Sequence, residues 1–144
     1  MRIRTSRGDM LWFGTGDAGL YRMSLAGDPS TWVPERIDGL PSDTVINLDT
    51  DEKGRLWIAT FSGLAVLEKG RVRSEPLPGE DAMPVIYSVL VDGRRVWVGT
   101  SGGIFRREAN GQWSRLPYAD MFERPNAATG LAIGSAGVGV EHAW

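Results

Sequence analysis

The chain has 144 residues, 42% hydrophobic and 24% charged, with a net charge of −2. That composition fits one globular domain, and the near-balance of charge argues against a nucleic-acid partner held by a general electrostatic field. There is no Cys, which excludes thiol catalysis, thiolate zinc sites and disulfides, and the one His, His142, cannot alone build a histidine metal centre.

No apolar run approaches the roughly 18 residues of a membrane-spanning segment, so none is expected. Met1 to Asp9 is basic without an apolar stretch behind it and does not read as a signal peptide. Gly, at 19 residues, is about twice its usual share of roughly 7%, and there are 6 Trp. Many short strands with Gly turns and regularly placed Trp indicate an all-β repeat.

The first unit offers only Ile3 to Ser6 as an inner strand, so most of that strand is expected to be missing. Then comes Leu11-Trp12-Phe13-Gly14-Thr15: apolar, Trp, apolar, small, Thr. The pattern returns as Leu56-Trp57-Ile58-Ala59-Thr60 and Val96-Trp97-Val98-Gly99-Thr100, and more weakly as Leu131-Ala132-Ile133-Gly134-Ser135. Each copy runs on into a Gly and an apolar residue, at Gly19-Leu20, Gly63-Leu64, Gly103-Ile104 and Gly139-Val140. A period near 40 residues with four short strands per unit is the signature of a propeller blade.

In the second unit, strands are expected at 45–49, 55–60, 64–67 and 71–77, with turns at Asp51 to Gly54, Phe61 to Gly63 and Lys69-Gly70. In the third they are expected at 85–91, 95–100, 104–107 and 112–116, joined at Asp92-Gly93, Ser101-Gly102 and Asn110-Gly111. Leu56 and Ile58 point to one face of their strand and Trp57 and Ala59 to the other, so it is buried on both sides. The fold is therefore all-β: blades of four antiparallel strands in an incomplete propeller of about 3.5 blades, against the roughly 4 to 8 of closed ones. Blade boundaries fall near 1–37, 38–78, 79–118 and 119–144, the last incomplete.

Gly39-Leu40-Pro41-Ser42-Asp43-Thr44-Val45, Asp51 to Thr60 and Gly63-Leu64 resemble the two-component regulator propeller repeat, and Val96 to Ile104 matches it again. The resemblance implies a non-catalytic, ligand-sensing propeller of a bacterial signalling protein, periplasmic or otherwise extracytoplasmic. Unlike in members of that family, neither a membrane span nor an output domain is expected within these 144 residues.

Several motifs have a plainer reading. Gly14-Thr15-Gly16-Asp17-Ala18-Gly19 has dinucleotide-loop spacing, but no helix can follow before Gly27-Asp28-Pro29, so it reads as a hairpin turn. Asp49 to Gly54 resembles half a calcium loop, yet Lys53 stands at a ligand position, so no metal site is assigned. Thr50-x-Glu52-x-Gly54-x-x-Trp57 is close to an Asp-box, with Glu52 in the Asp position. Trp12, Trp57 and Trp97 read as blade packing and Trp32 and Trp113 as outer-strand residues. The pairs Arg94-Arg95 and Arg106-Arg107 read as solvated hairpin charges.

Ligands of a propeller bind at the mouth of its channel, in the loops before each first strand and between second and third strands. The candidates are Asp17 with Gly16, Phe61, Ser62, Ser101 with Gly102, and Ser42 and Asp43 beside Pro41. Phe61 suits stacking on a sugar or peptide, though a turn aromatic ordinarily packs on its neighbour. No cofactor and no catalytic residues are assigned, since no acid–base set is recognisable. The expected partner is a small carbohydrate or peptide ligand. The alternative is a structural or protein-interaction segment that self-associates, two copies making a ring of about seven blades; a segment of a longer chain is equally open. A propeller lyase or glycosidase is the reading with least support.

Overall fold

The computed structural model describes residues 2–6, 10–79, 83–116, 128–134 and 137–142, with side-chain surroundings for 10–79 and 83–116. Three four-stranded antiparallel sheets follow in chain order. Sheet 1 holds β1 (Arg2–Ser6), β2 (Met10–Gly14), β3 (Leu20–Ser24) and β4 (Glu35–Ile37). Sheet 2 holds β5 (Val45–Thr50), β6 (Leu56–Thr60), β7 (Gly63–Glu68) and β8 (Arg71–Glu75). Sheet 3 holds β9 (Ile86–Asp92), β10 (Arg95–Thr100), β11 (Gly103–Arg107) and β12 (Trp113–Arg115). β13 (Ala128–Gly134) and β14 (Gly137–His142) pair as a hairpin. Each four-stranded sheet runs in simple sequence order, as propeller blades do.

Two expectations are corrected here. The first inner strand is not reduced: all five residues of β1 pair with β2, from Arg2↔Gly14 to Ser6↔Met10. The weak fourth copy, Leu131 to Ser135, is not another Trp strand. Its strand β13 packs on β9 and reaches β10, as β9 packs on β5 and reaches β6, so it holds an inner-strand position. A short apolar run ending in small residues has too little information to tell a first strand from a second.

The repeat pattern has a physical cause at each position. Every residue of β6 is buried, with Leu56 and Ile58 packed toward sheet 1 and Trp57 and Ala59 toward sheet 3. The small residue lies where one sheet meets the next sheet's inner strand: a Cβ on Gly14 would fall inside the Val45 side chain. The Thr closes the following turn. Thr60 Oγ1 donates to Gly63 O (2.7 Å) and accepts from Ser62 N (3.1 Å). Thr100 repeats this with Gly103 O and Gly102 N, and Thr15 with Gly19 O and Ala18 N around a turn one residue longer.

The β5–β6 turn hangs on one carboxylate. Asp51 accepts from Lys53 N and Arg55 N (both 2.9 Å), Arg55 Nε (2.6 Å) and Trp57 Nε1 (3.0 Å), and its side chain is 4% exposed. The Asp-box reading was therefore one residue off: Asp51 fills the role assigned to Glu52. Asp49 and Asp51 have different partners. Asp49 Oδ2 instead accepts from Val91 N (2.7 Å), tying β5 to β9.

Burial pushes the Asp51 carboxyl up, but the bonds from Trp57 and Arg55 outweigh it and hold its pKa below the ordinary value. Its contribution is then complete above about pH 4 and lost as pH falls through the lowered folded value. Asp51→Asn is expected to cost about 2–3 kcal/mol at pH 7 in urea unfolding, the gap from the parent chain closing in acid. Gly14→Ala should cost about 1–3 kcal/mol by overpacking on Val45, read the same way.

Candidate functional site

The predicted loop residues lie together at one end of the sheets. Three backbone bonds join their loops: Gly19 N to Asp43 O (2.8 Å), Val45 N to Thr15 O (2.9 Å) and Phe61 N to Thr44 O (3.1 Å). Asp17, Ser42, Asp43, Phe61 and Ser62 thus surround the junction of sheets 1 and 2. Ser101 holds the equivalent place one sheet further on, its N bonded to Val85 O (3.3 Å). Gly19, at φ +86°, makes the turn that an L side chain resists, facing the Arg36 and Asp43 side chains.

Several of these residues have structural duties. Ser42 Oγ accepts from Thr44 N (3.1 Å), and Asp43 Oδ1 accepts from Arg36 Nη2 (2.9 Å). Arg36 also bonds Asp38 (2.9 Å) and Ala18 O (3.4 Å), bracing the rim of both loops. Asp17 is exposed. Phe61 is 56% exposed rather than packed on a neighbouring sheet, because Thr60 fixes its turn outward. Met83, also exposed, lies against Gly63 beside that turn. Arg36 and Met83 were not singled out from the sequence, because their roles come from tertiary proximity.

Two clefts sit at the opposite end, by the β5–β6 hairpin turn. One, of about 320 Å³, lies between sheets 2 and 3 and is lined by Asp51, Glu52, Arg55, Arg94, Val96 and others. The other, of about 490 Å³, lies between sheets 1 and 2 and includes Trp12, Arg22, Leu56, Leu67 and Lys69. Neither includes any predicted loop residue.

The outer edge between sheets 2 and 3 carries a polar cluster. Trp57 is 0% exposed, with Arg55 and Arg107 guanidinium carbons 5.4 and 5.3 Å from its ring centre and Trp113 edge-on at 6.5 Å. Glu75 accepts from Trp113 Nε1 (3.0 Å), lies 3.5 Å from Arg107 Nε and pairs with Arg73. Burial raises the Glu75 carboxyl, but Trp113 and the charges of Arg73 and Arg107 bring it below its usual pKa. This corrects the reading of Arg106 and Arg107 as solvated charges. Arg107 is 12% exposed, and Arg106 sits over the Trp97 ring at 5.4 Å. Arg94 and Arg95 are exposed, pairing with Glu52 and Glu108. Trp32 is not on a strand; it caps a short 3₁₀ turn (Pro29–Thr31) and donates from Nε1 to Ala26 O (3.2 Å).

Among the described residues, no group of three or more His, Cys, Asp or Glu is placed to hold a metal ion, and no helix is long and apolar enough to cross a membrane. His142 and Trp144 lie outside the residues whose side chains are described.

Trp57→Phe removes a donor from Asp51 and is expected to cost about 1–2 kcal/mol more than Trp97→Phe, whose buried Nε1 has no partner among the described residues. Urea unfolding of the two variants side by side reads the difference.

Residues 39–62 match the family model described as two component regulator propeller. No curated protein sequence matches the chain. Among solved structures, it resembles the extracellular domain of a protein from B. thetaiotaomicron described as a hybrid two component system, at 25% identity and TM-score 0.78, covering 99% of this chain and 20% of that one. A second such domain from that organism aligns at 17% identity and TM-score 0.73, covering 96% of this chain and 20% of its own. Virginiamycin B lyase from Staphylococcus aureus aligns at 17% identity and TM-score 0.72, covering 96% of this chain and 47% of the lyase; at that identity the likeness is one of fold. The chain thus spans about a fifth of the length of the extracellular domains it resembles. It is an incomplete β-propeller whose residues 39–62 match the two-component regulator propeller repeat.

Proposed function

We propose that the chain is a ligand-sensing, non-catalytic part of an extracytoplasmic signalling propeller. The likeness over 99% of its length to the extracellular domain of a hybrid two component system carries this reading. The loop end where Phe61 stands exposed among Asp17, Ser42, Asp43 and Ser62 is its recognition surface, with Ser101 on the neighbouring sheet. An exposed ring beside hydroxyl and carboxylate groups suits a carbohydrate or a short peptide. Calorimetric titration with neutral and acidic oligosaccharides and short peptides tests it. At least one should bind one-to-one, and Phe61→Ala should weaken that binding about tenfold or more while leaving the melting temperature unchanged, since the ring is not in the core.

One observation favours a second reading, self-association. Leu11, Phe13, Tyr21 and Met23 occupy the sheet-1 positions of Leu56, Ile58, Ala65 and Leu67 in sheet 2. The sheet-2 set is buried, whereas the sheet-1 set is half-exposed, with Phe13 and Tyr21 stacked at 5.5 Å. A blade face of that composition is built to meet another blade. Light scattering should then give twice the 15.7 kDa chain mass, and Phe13→Glu should return the monomer with its circular dichroism unchanged.

A further inference from the structure

The two junctions between the four-stranded sheets differ in what covers the Trp of the second strand. At the junction of sheets 2 and 3, Trp57 is covered by Arg107 and Trp113, and it does not line the cleft there. The strand registers identify the matching residues one junction earlier. Arg107 pairs with Val96 as Leu67 pairs with Leu56, and Trp113 pairs with Arg107 as Val72 pairs with Leu67. Leu67 and Val72 therefore stand over Trp12 where Arg107 and Trp113 stand over Trp57. They are smaller, Trp12 stays half-exposed, and its indole lines the larger cleft. The floor of that cleft is apolar, from Leu56 and Leu67.

Among the described residues that line it, the charges are committed elsewhere, with one exception. Asp51 is bonded to Arg55 and Trp57, Glu52 pairs with Arg94 and Arg22 with Glu35. Lys69, at the rim, makes no ion pair among the described residues. It is also the one non-glycine among them with positive φ, at 51°, followed by Gly70 at 77°. Two successive positive φ values belong to a tight hairpin turn in which Asn or Asp is the favoured first residue, so Lys there carries a conformational cost. The turn places Lys69 on the rim of the cleft instead.

We propose that the cleft between sheets 1 and 2 binds a planar, apolar ligand with a single negative charge, such as an aromatic carboxylate. The Trp12 indole stacks on its ring, Leu56 and Leu67 form the floor, and Lys69 meets the carboxylate. This site is separate from the loop end around Phe61 and stands whether or not that surface binds a sugar or peptide.

The test is calorimetric titration of the full chain with 2-naphthoate and with its uncharged counterpart, 2-naphthalenemethanol. The acid should bind one-to-one and about fivefold or more tighter than the alcohol, the strength of an exposed ion pair. Lys69→Asn keeps the turn geometry and should erase that preference. Trp12→Leu should weaken both ligands about tenfold or more by removing the stacking surface. Because Lys69 is exposed, its variant reports on binding even if the Trp12 variant does not fold. Absence of saturable naphthoate binding at millimolar concentration, equal affinity for acid and alcohol, or a preference that survives Lys69→Asn would each overturn the proposal.

Discussion

Everything in this fold depends on burying the second strands of sheets 2 and 3, β6 and β10, on both faces. A strand covered on one side can alternate apolar and polar residues, but β6 cannot, since sheet 1 lies against Leu56 and Ile58 and sheet 3 against Trp57 and Ala59. Sheets that meet face to face need a small residue where the next inner strand crosses, which Gly14 provides against Val45. They also need the turn after the strand fixed, because a one-residue slip would exchange its two faces. The Thr hydroxyl and the following Gly set that register in all three four-stranded sheets. The repeat is thus a set of solutions to one packing problem, posed once per blade.

The same constraint explains how charge enters the interior. An indole brought to the edge of a junction must bond its N–H and cover its ring. Trp57 does so with Asp51, Arg55 and Arg107, and Trp113 does so with Glu75. Each carboxylate lies between indole N–H groups and guanidinium groups, so its desolvation is offset by several donors at once. Trp97 shows the other outcome. Its preceding turn is short, no residue corresponds to Asp51, its Nε1 has no partner among the described residues, and the Arg106 guanidinium lies over its ring.

Much of this was legible in the sequence because the repeat is encoded locally. The Trp strands, the Thr-to-Gly turns and the Lys69-Gly70 hairpin follow from residues within a few positions of one another. What was not legible depends on contacts across sheets. Arg107 looks like a hairpin charge until sheet 2 supplies Trp57 and Glu75. Asp51 and Glu52 are equivalent carboxylates in sequence, and only the turn geometry selects Asp51. Leu131 to Ser135 imitates a second strand, and only its packing on β9 gives its position. At the loop end, the candidates gather because backbone bonds join the turns of sheet 1 to the link before β5, a proximity with no local signature.

Repeats also show where function is free to enter. A position that must satisfy the packing problem cannot vary, so chemistry collects where equivalent positions differ. Two such places stand out. In the turn after the second strand, Thr60-Phe61-Ser62-Gly63 has an exposed ring where Thr100-Ser101-Gly102-Gly103 has a hydroxyl, although both turns are closed by the same Thr bonds. In the outer junctions, Leu67 replaces the guanidinium of Arg107, and a covered indole becomes an open one. Neither difference disturbs the buried strand beneath it, because Phe61 extends into solvent and Leu67 still covers Leu56. The fold tolerates both for the same reason: the register is held by the Thr turn and the two-sided strand, leaving the rim and the junction edge available for recognition.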